Sequence, residues 1–244
     1  MSQVEVVQVG VGALEQADVV AVARRGTAVE LDSAAVKAIE TSRAVIETRA
    51  GSTTPAYGIS TGFGALATRH IEPAKRTALQ KSLIRSHAAG SGPPVEDEVV
   101  RALMLLRLST LATGHTGVRL ETVRTMAAML NAGLTPVVRE YGSLGCSGDL
   151  APLAHCALAL MGEGEVRDRD GTLRPAAEAM REHGIEPVVL AEKEGLALIN
   201  GTDGMLGMLT LALDDLARLL RTADVAAAMS IEGLLGTDRV LAAD

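Results

Sequence analysis

From residue 32 to residue 231, outside stretches such as 52–66 and 134–148, the apolar side chains of this chain recur three and four positions apart, and proline or glycine punctuates most of the runs. Spacing of that kind gathers one apolar stripe on a 3.6-residue turn, so it specifies helix. Asp32 or Ser33 can cap the first such run, with Ala35, Ile39, Ser42 and Ile46 on one face and Gly51 as its stop. Pro73 opens a second, with Leu79, Leu83 and His87 aligned and Gly90 at its end. Pro94 opens a third, reaching about Thr113, and residues 120–132 form a fourth, stopped by Gly133. Residues 150–161 follow a loop at 134–148, with Asp149 as the expected cap and Pro152 tolerated in the first turn. Shorter helices are expected at 14–25, 175–183 and 192–198. The last pattern, 203–231, spaces Leu206, Leu209, Leu213, Leu216 and Leu220 for a single buried stripe.

Strand signals are few. Residues 4–9 and 28–31 read as short strands, and Asp170-Gly171 marks a hairpin turn between Val166 and Leu173. The expected fold is therefore mainly α with a small β component. Its core is aliphatic, because the chain holds one Phe, two Tyr and no Trp among 48% hydrophobic residues. Helices with small side chains at their contacts suit such a core.

Charge narrows the partners. A net charge of -7 without a basic block disfavours nucleic acid and anionic membrane surfaces, which need clustered Lys and Arg. The apolar stretches 150–161 and 205–213 are too short to cross a bilayer and read as buried helices. Glu5, Glu15 and Asp18 occupy the region where a signal peptide needs positive charge and an apolar run. Cys146 and Cys156 match neither a metal site nor a disulfide framework, which fits a reduced, cytoplasmic setting. The final striped helix needs partners that the chain does not supply, so the sequence reads as truncated.

The most unusual stretch runs from Gly142 to His155: Gly-Ser-Leu-Gly-Cys-Ser-Gly-Asp-Leu-Ala-Pro-Leu-Ala-His. It places Ser147 among small residues immediately before a helix N-terminus, where free N–H groups stabilise electron-rich groups. Spacing alone favours a Ser/Asp helix cap after a glycine loop. A nucleophile elbow needs glycine two positions either side of the serine; Gly145 satisfies one and Asp149 occupies the other. Lys37, Lys75, Lys81 and Lys193 lie in no recognisable Schiff-base context, and no phosphate loop or metal-ligand cluster is evident.

The same stretch resembles the signature of the aromatic amino acid ammonia-lyases and aminomutases. In that family an Ala-Ser-Gly tripeptide cyclises into a methylidene-imidazolone (MIO) ring, an internal electrophile that needs no external cofactor. Here the tripeptide is Cys146-Ser147-Gly148. The resemblance implies that the Gly148 nitrogen attacks the Cys146 carbonyl carbon and that Ser147 then loses its hydroxyl as water. Glycine suits the first step because its nitrogen is unhindered and its backbone bends freely. The first side chain takes no part in the ring, so Cys in place of Ala is a mild departure.

Three further motifs extend the resemblance. Tyr57-Gly58-Ile59-Ser60-Thr61-Gly62-Phe63-Gly64 is similar to the family's active-site loop, which makes Tyr57 the implied acid–base group. Phenols ionise at about pH 10, so that role requires surroundings that stabilise a phenolate, such as helix N-termini. Ser86-His87 resembles the substrate-sorting pair of the histidine-specific members, where an imidazole can hydrogen-bond a substrate imidazole. Leu196-Ala197-Leu198-Ile199-Asn200-Gly201-Thr202 supplies an asparagine for the ring or the substrate carboxylate, although Asp203 stands where the family usually continues with Gln.

The implied fold is the aspartase/fumarase-like helical one. Residues 1–200 would form the electrophile-forming domain, and 201–244 would start the central helical bundle. The implied reaction is non-oxidative elimination of ammonia from L-histidine to give urocanate, in a homotetramer. Sister enzymes acting on phenylalanine or tyrosine, or a non-catalytic helical fragment, are the alternatives. The resemblance covers about half of a typical member, so the fragment by itself is expected to have little activity. His70, His115, His155 and His183 are read as structural or surface residues.

Overall fold

The computed structural model describes residues 6–145 and 148–242. The chain opens with β1 (Val6–Val9), α1 (Gln16–Arg25) and β2 (Ala28–Leu31). The two strands pair in parallel, Val6 beside Ala28 and Val9 beside Leu31, with α1 as the crossover. Glu15 and Asp18 form a capping box at the start of α1, and Gly26 ends it in the left-handed region at φ 68°. In α2 (Ser33–Ala50) the Asp32 carboxylate accepts the Ala35 N–H at 2.6 Å, as the sequence led us to expect.

Next come α3 (Pro73–His87), β3 (Ser91–Pro94), α4 (Asp97–Ala112) and α5 (Leu120–Ala132). Helix α4 is the centre of the molecule. Its Leu103, Met104, Leu105, Leu108 and Leu111 are buried, and α1, α5 and α9 (Asp203–Gly233) pack around it. The fold is mainly α with small sheets, in agreement with the aliphatic helical pattern.

Pro94 does not open α4. The pair Pro93-Pro94 holds the chain extended, so residues 91–94 become a strand antiparallel to β5 (Arg139–Tyr141), and the helix starts only at Asp97. Residues 134–145 are likewise more than a plain loop, because they contain β4 (Thr135–Pro136) as well as β5. Strand β4 pairs with β6 (Glu165–Arg167), which forms the expected hairpin with β7 (Leu173–Pro175). Strands of two and three residues carry too little alternation to be seen in a sequence. Helices α6 (Leu150–Leu160), α7 (Ala176–Glu182) and α8 (Glu194–Ile199) complete the fold close to their expected places.

The leucine stripe on α9 is not covered by any of the described residues, in line with a helix whose partners this chain does not supply. Leu206, Leu209, Leu213, Leu216 and Leu220 are exposed, and the buried positions are Asp203, Gly204, Gly207 and Leu211. The glycines explain the choice of face. A Cβ at Gly207 would lie 3.1 Å from the Ala102 Cβ, and one at Gly204 3.2 Å from Leu103. Bare backbone lets α9 approach α4 more closely than leucines would allow. The run Glu194–Gly233 is also long and apolar enough, by length and composition, to cross a membrane, which the shorter stretches considered singly did not suggest. Arg24 of α1 pairs with Asp214 at 3.0 Å and Asp215 at 2.7 Å, tying α9 to the protein surface.

Candidate active site

Asp149 joins the parts of the site. It occupies the cap position of α6 but makes no side-chain bond to that helix. Its carboxylate instead accepts from the Ser143 hydroxyl at 2.6 Å and from the Met205 N–H, in the first turn of α9, at 3.0 Å. The expected cap therefore serves a different helix: Met205 offers one of the free N–H groups of a helix start. The Asp149 N–H in turn donates to the Gly201 carbonyl at 2.7 Å.

Gly148 lies just before this junction at φ 123°, a conformation that L side chains rarely adopt, and a Cβ there would stand 3.0 Å from the Gly201 oxygen. Its N–H donates to the Gly145 carbonyl at 3.2 Å. The remaining tripeptide positions, Cys146 and Ser147, lie outside the described residues. Across the loop, a Cβ at Gly142 would be 2.9 Å from the Ala151 Cβ and 3.2 Å from the Gly90 Cα, which brings the segment after α3 against the loop.

Tyr57 is 51% exposed. Its hydroxyl accepts the Gly64 N–H at 3.3 Å, and its ring meets Phe63 edge to face at 6.1 Å. The loop that carries it is held from below. The Ala56 carbonyl accepts the Ser60 N–H at 2.9 Å, and the Gly58 carbonyl accepts the Lys193 N–H at 3.0 Å. Gly58 sits at φ 72°, and a Cβ there would collide with Leu196 of α8.

Tyr57 and Asn200 line one open cavity of about 380 Å³, together with Arg107, Thr110, His115 and Lys193. Asn200 follows the end of α8, with its Nδ2 donating to the Leu196 carbonyl at 2.9 Å. Ser86 and His87 are not among the lining residues. They end α3, where His87 Nδ1 lies 2.9 Å from the Leu83 carbonyl and 3.0 Å from the Ser86 hydroxyl. A carbonyl only accepts, so Nδ1 is assigned a proton.

His115 and Lys193 were not picked out from the sequence as site residues. Nothing in the local pattern marks His115. Lys193 carries a backbone signal that emerges only in three dimensions: it is left-handed at φ 75°, which for a residue with a side chain marks strain. Burial draws its ammonium below the usual lysine value.

The Aromatic amino acid lyase family model matches residues 14–244. The chain belongs to the aromatic amino acid lyase family. Histidine ammonia-lyase of Streptomyces griseus is 64% identical over 236 residues, which cover 97% of this chain and 46% of that protein. Among solved aromatic amino acid lyase structures, histidine ammonia-lyase from Trypanosoma cruzi superposes with a TM-score of 0.90 at 39% identity, over 97% of this chain and 45% of that one. Tyrosine aminomutase from Streptomyces globisporus gives 0.86 at 40% identity, over 93% of this chain and 42% of that one. The chain thus spans about half the length of the curated relatives it matches.

In this aromatic amino acid lyase chain, His155 links the end of α3 to α6. Its Nε2 accepts the Gly90 N–H at 3.1 Å, so that nitrogen carries no proton and the imidazole is neutral while it does so. Burial, with Arg139 nearby, holds His155 below the usual histidine value. The unfolded chain takes up a proton at about pH 6.5, whereas the folded chain does so only at lower pH. Stability from this group is therefore fully present above about pH 6.5 and is lost as pH falls towards the lowered folded value. Thermal unfolding at fixed ionic strength should show that loss, and His155→Gln should flatten it. An unchanged pH slope in the variant would count against the assignment.

Proposed function

We propose that the whole protein of which this chain gives the sequence is a histidine ammonia-lyase, converting L-histidine to urocanate and ammonia. The observation that carries this reading is the junction at Asp149. It joins the end of the Cys146-Ser147-Gly148 tripeptide to the Asn200-Gly201 turn, whose asparagine shares a cavity with Tyr57. The 64% identity to a named histidine ammonia-lyase supports the substrate. Residues 1–200 form the electrophile-forming unit in this reading, and 201–244 begin the central helical region of a cytoplasmic homotetramer.

The Gly148 geometry fits an MIO ring made from residues 146–148, since only glycine suits φ 123° beside the Gly201 oxygen. Such a ring supplies the electrophile that makes ammonia a better leaving group. The remaining roles belong to side chains of this chain. Tyr57 takes the β-proton, with its hydroxyl held at the lip of the cavity. Asn200 positions substrate through an uncharged amide. His87 Nε2 accepts a hydrogen bond from the substrate imidazole, and Ser86 holds the ring of His87 from its other nitrogen.

The similarity to a tyrosine aminomutase at 40% identity makes a sister activity the second reading. The pair at 86–87 separates the two. Exchanging Ser86 and His87 together for an apolar pair is expected to lower histidine turnover by roughly a hundredfold, while leaving the unfolding midpoint near that of the parent. The assay is urocanate formation by the full-length protein. A preference for tyrosine over histidine in the unaltered enzyme would reject the substrate assignment.

A further inference from the structure

Arg107, in the middle of α4, and Asp203, the first residue of α9, form an ion pair and are 1% and 6% exposed. Arg107 Nη1 also donates to the Ala197 carbonyl of α8 at 3.2 Å, and the second Asp203 oxygen accepts from Thr110 at 3.3 Å. A pair buried this deeply loses its hydration, so it is a poor device for stability alone. Arg107 Nε adds to that cost, because it has no partner among the described residues. An apolar pair of similar size would fill the same space without it.

What distinguishes the pair is its position. Gly201 lies directly against it, so that a Cβ at 201 would collide with both the Arg107 guanidinium and the Asp203 carboxylate. On the other side, the Gly201 carbonyl accepts the Asp149 N–H at 2.7 Å and stands 3.0 Å from the place a Gly148 Cβ would occupy. A continuous path of contacts therefore runs from the ion pair through Gly201 to the two residues that end the tripeptide loop. Asp203 is also the position where this chain departs from the motif. An amide there would not supply a formal charge to pair with the guanidinium.

We propose that Arg107 and Asp203 are positioning residues for ring formation: the pair clamps Gly201 from behind, and Gly201 in turn fixes the backbone of Gly148 and Asp149. The proposal rests on reading residues 146–148 as ring-forming. Ring closure makes a bond between the Gly148 nitrogen and the Cys146 carbonyl carbon, and that carbonyl oxygen leaves as water with the amide protons of Gly148 and Ser147, which leaves a C=N bond to the Ser147 nitrogen. The Ser147 hydroxyl leaves as a second water with the Ser147 α-proton, so no oxidant or added reagent is needed. A peptide nitrogen is a weak nucleophile, and its attack depends on the geometry in which the backbone is held. Neither Arg107 nor Asp203 hydrogen-bonds Gly148; each acts through Gly201.

The test uses the 244-residue chain and, in parallel, the full-length protein. Asp203→Asn, Arg107→Lys and Arg107→Met are each followed by intact mass, for the two-water loss, and by hydrogen exchange of peptides covering 142–150. Asp203→Asn keeps the shape and is the informative variant if Arg107→Met does not fold. Exchange in 142–150 should rise about tenfold in Asp203→Asn, with peptides from α1 and α5 unchanged. The two-water loss should be slow or missing, and Arg107→Lys should restore part of it relative to Arg107→Met. Exchange at 142–150 equal to the parent in Asp203→Asn overturns the proposal, as does maturation at the parent rate in both Asp203→Asn and Arg107→Met. A parent protein with no two-water loss in either length refutes the ring-forming reading itself. The exchange result then still decides whether the pair holds the loop.

Discussion

Ser147→Ala is expected to lower urocanate formation by the full-length protein at least about a thousandfold. The serine hydroxyl is the only source of the methylidene carbon's unsaturation, since its departure as water creates the exocyclic double bond. Alanine has nothing to lose, so the electrophile cannot be completed whatever the rest of the site does. Packing should hardly register the change. The flanking bond that ring closure leaves intact is a backbone one, Asp149 N–H to Gly201, and it does not use the side chain at 147. Turnover should therefore fall while the unfolding midpoint stays close to the parent. Intact mass supplies an independent check: the parent loses two waters and the variant does not. Undiminished turnover by Ser147→Ala would end the mechanism proposed for this chain.

The largest expected loss of stability comes from Glu194→Ala. Glu194 is fully buried at the start of α8. Its carboxylate accepts from the Arg119 N–H at 2.9 Å, the Arg119 guanidinium at 2.7 Å, the Thr122 hydroxyl at 2.6 Å and the Ala191 N–H at 2.7 Å. Alanine strands the Thr122 hydroxyl and the Arg119 and Ala191 N–H groups, while the Arg119 guanidinium keeps Val189 and Glu121. Removing one partner of a buried, hydrogen-bonded charge costs about 3–5 kcal/mol. Equilibrium denaturation should show that loss as a lowered midpoint with little change in slope. Glu47→Ala, which removes the partner of Arg43 at a solvent-exposed position, is the control, with an expected change of about half a kcal/mol. Because α8 carries Lys193 at its head and Asn200 at its end, Glu194→Ala should also impair catalysis at temperatures where the protein remains folded. A loss of under about 1 kcal/mol would mean that Arg119 and Thr122 find other partners.

Much of the fold was legible because helix signals are local. Asp32 capping α2, Pro73 opening α3, Gly133 closing α5 and the Asp170-Gly171 hairpin each depend on residues within a few positions of one another. The strands around Pro94 and Pro136 were not legible, because each exists only by pairing with a segment tens of residues away. Candidate site residues divide in the same way. Tyr57, Ser86, His87, Gly148 and Asn200 stand in motifs that a reader can find. Arg107, His115 and Lys193 sit in ordinary helical or loop sequence and become noticeable only where α4 and α8 converge on one cavity.

By itself, the order of residues determined that this chain is helical, where most helices begin and end, and which motifs carry chemistry, since periodicity, caps and turns act over a few bonds. Tertiary structure alone decided which face of α9 is covered. Gly204 and Gly207 bring that face of α9 close to α4, while the leucine stripe faces away from the other described residues. It likewise decided that Asp149 serves the N-terminus of α9 in place of its own helix, and that a buried arginine stands behind Gly201. Those outcomes depend on distances between segments far apart along the chain, and only packing sets such distances.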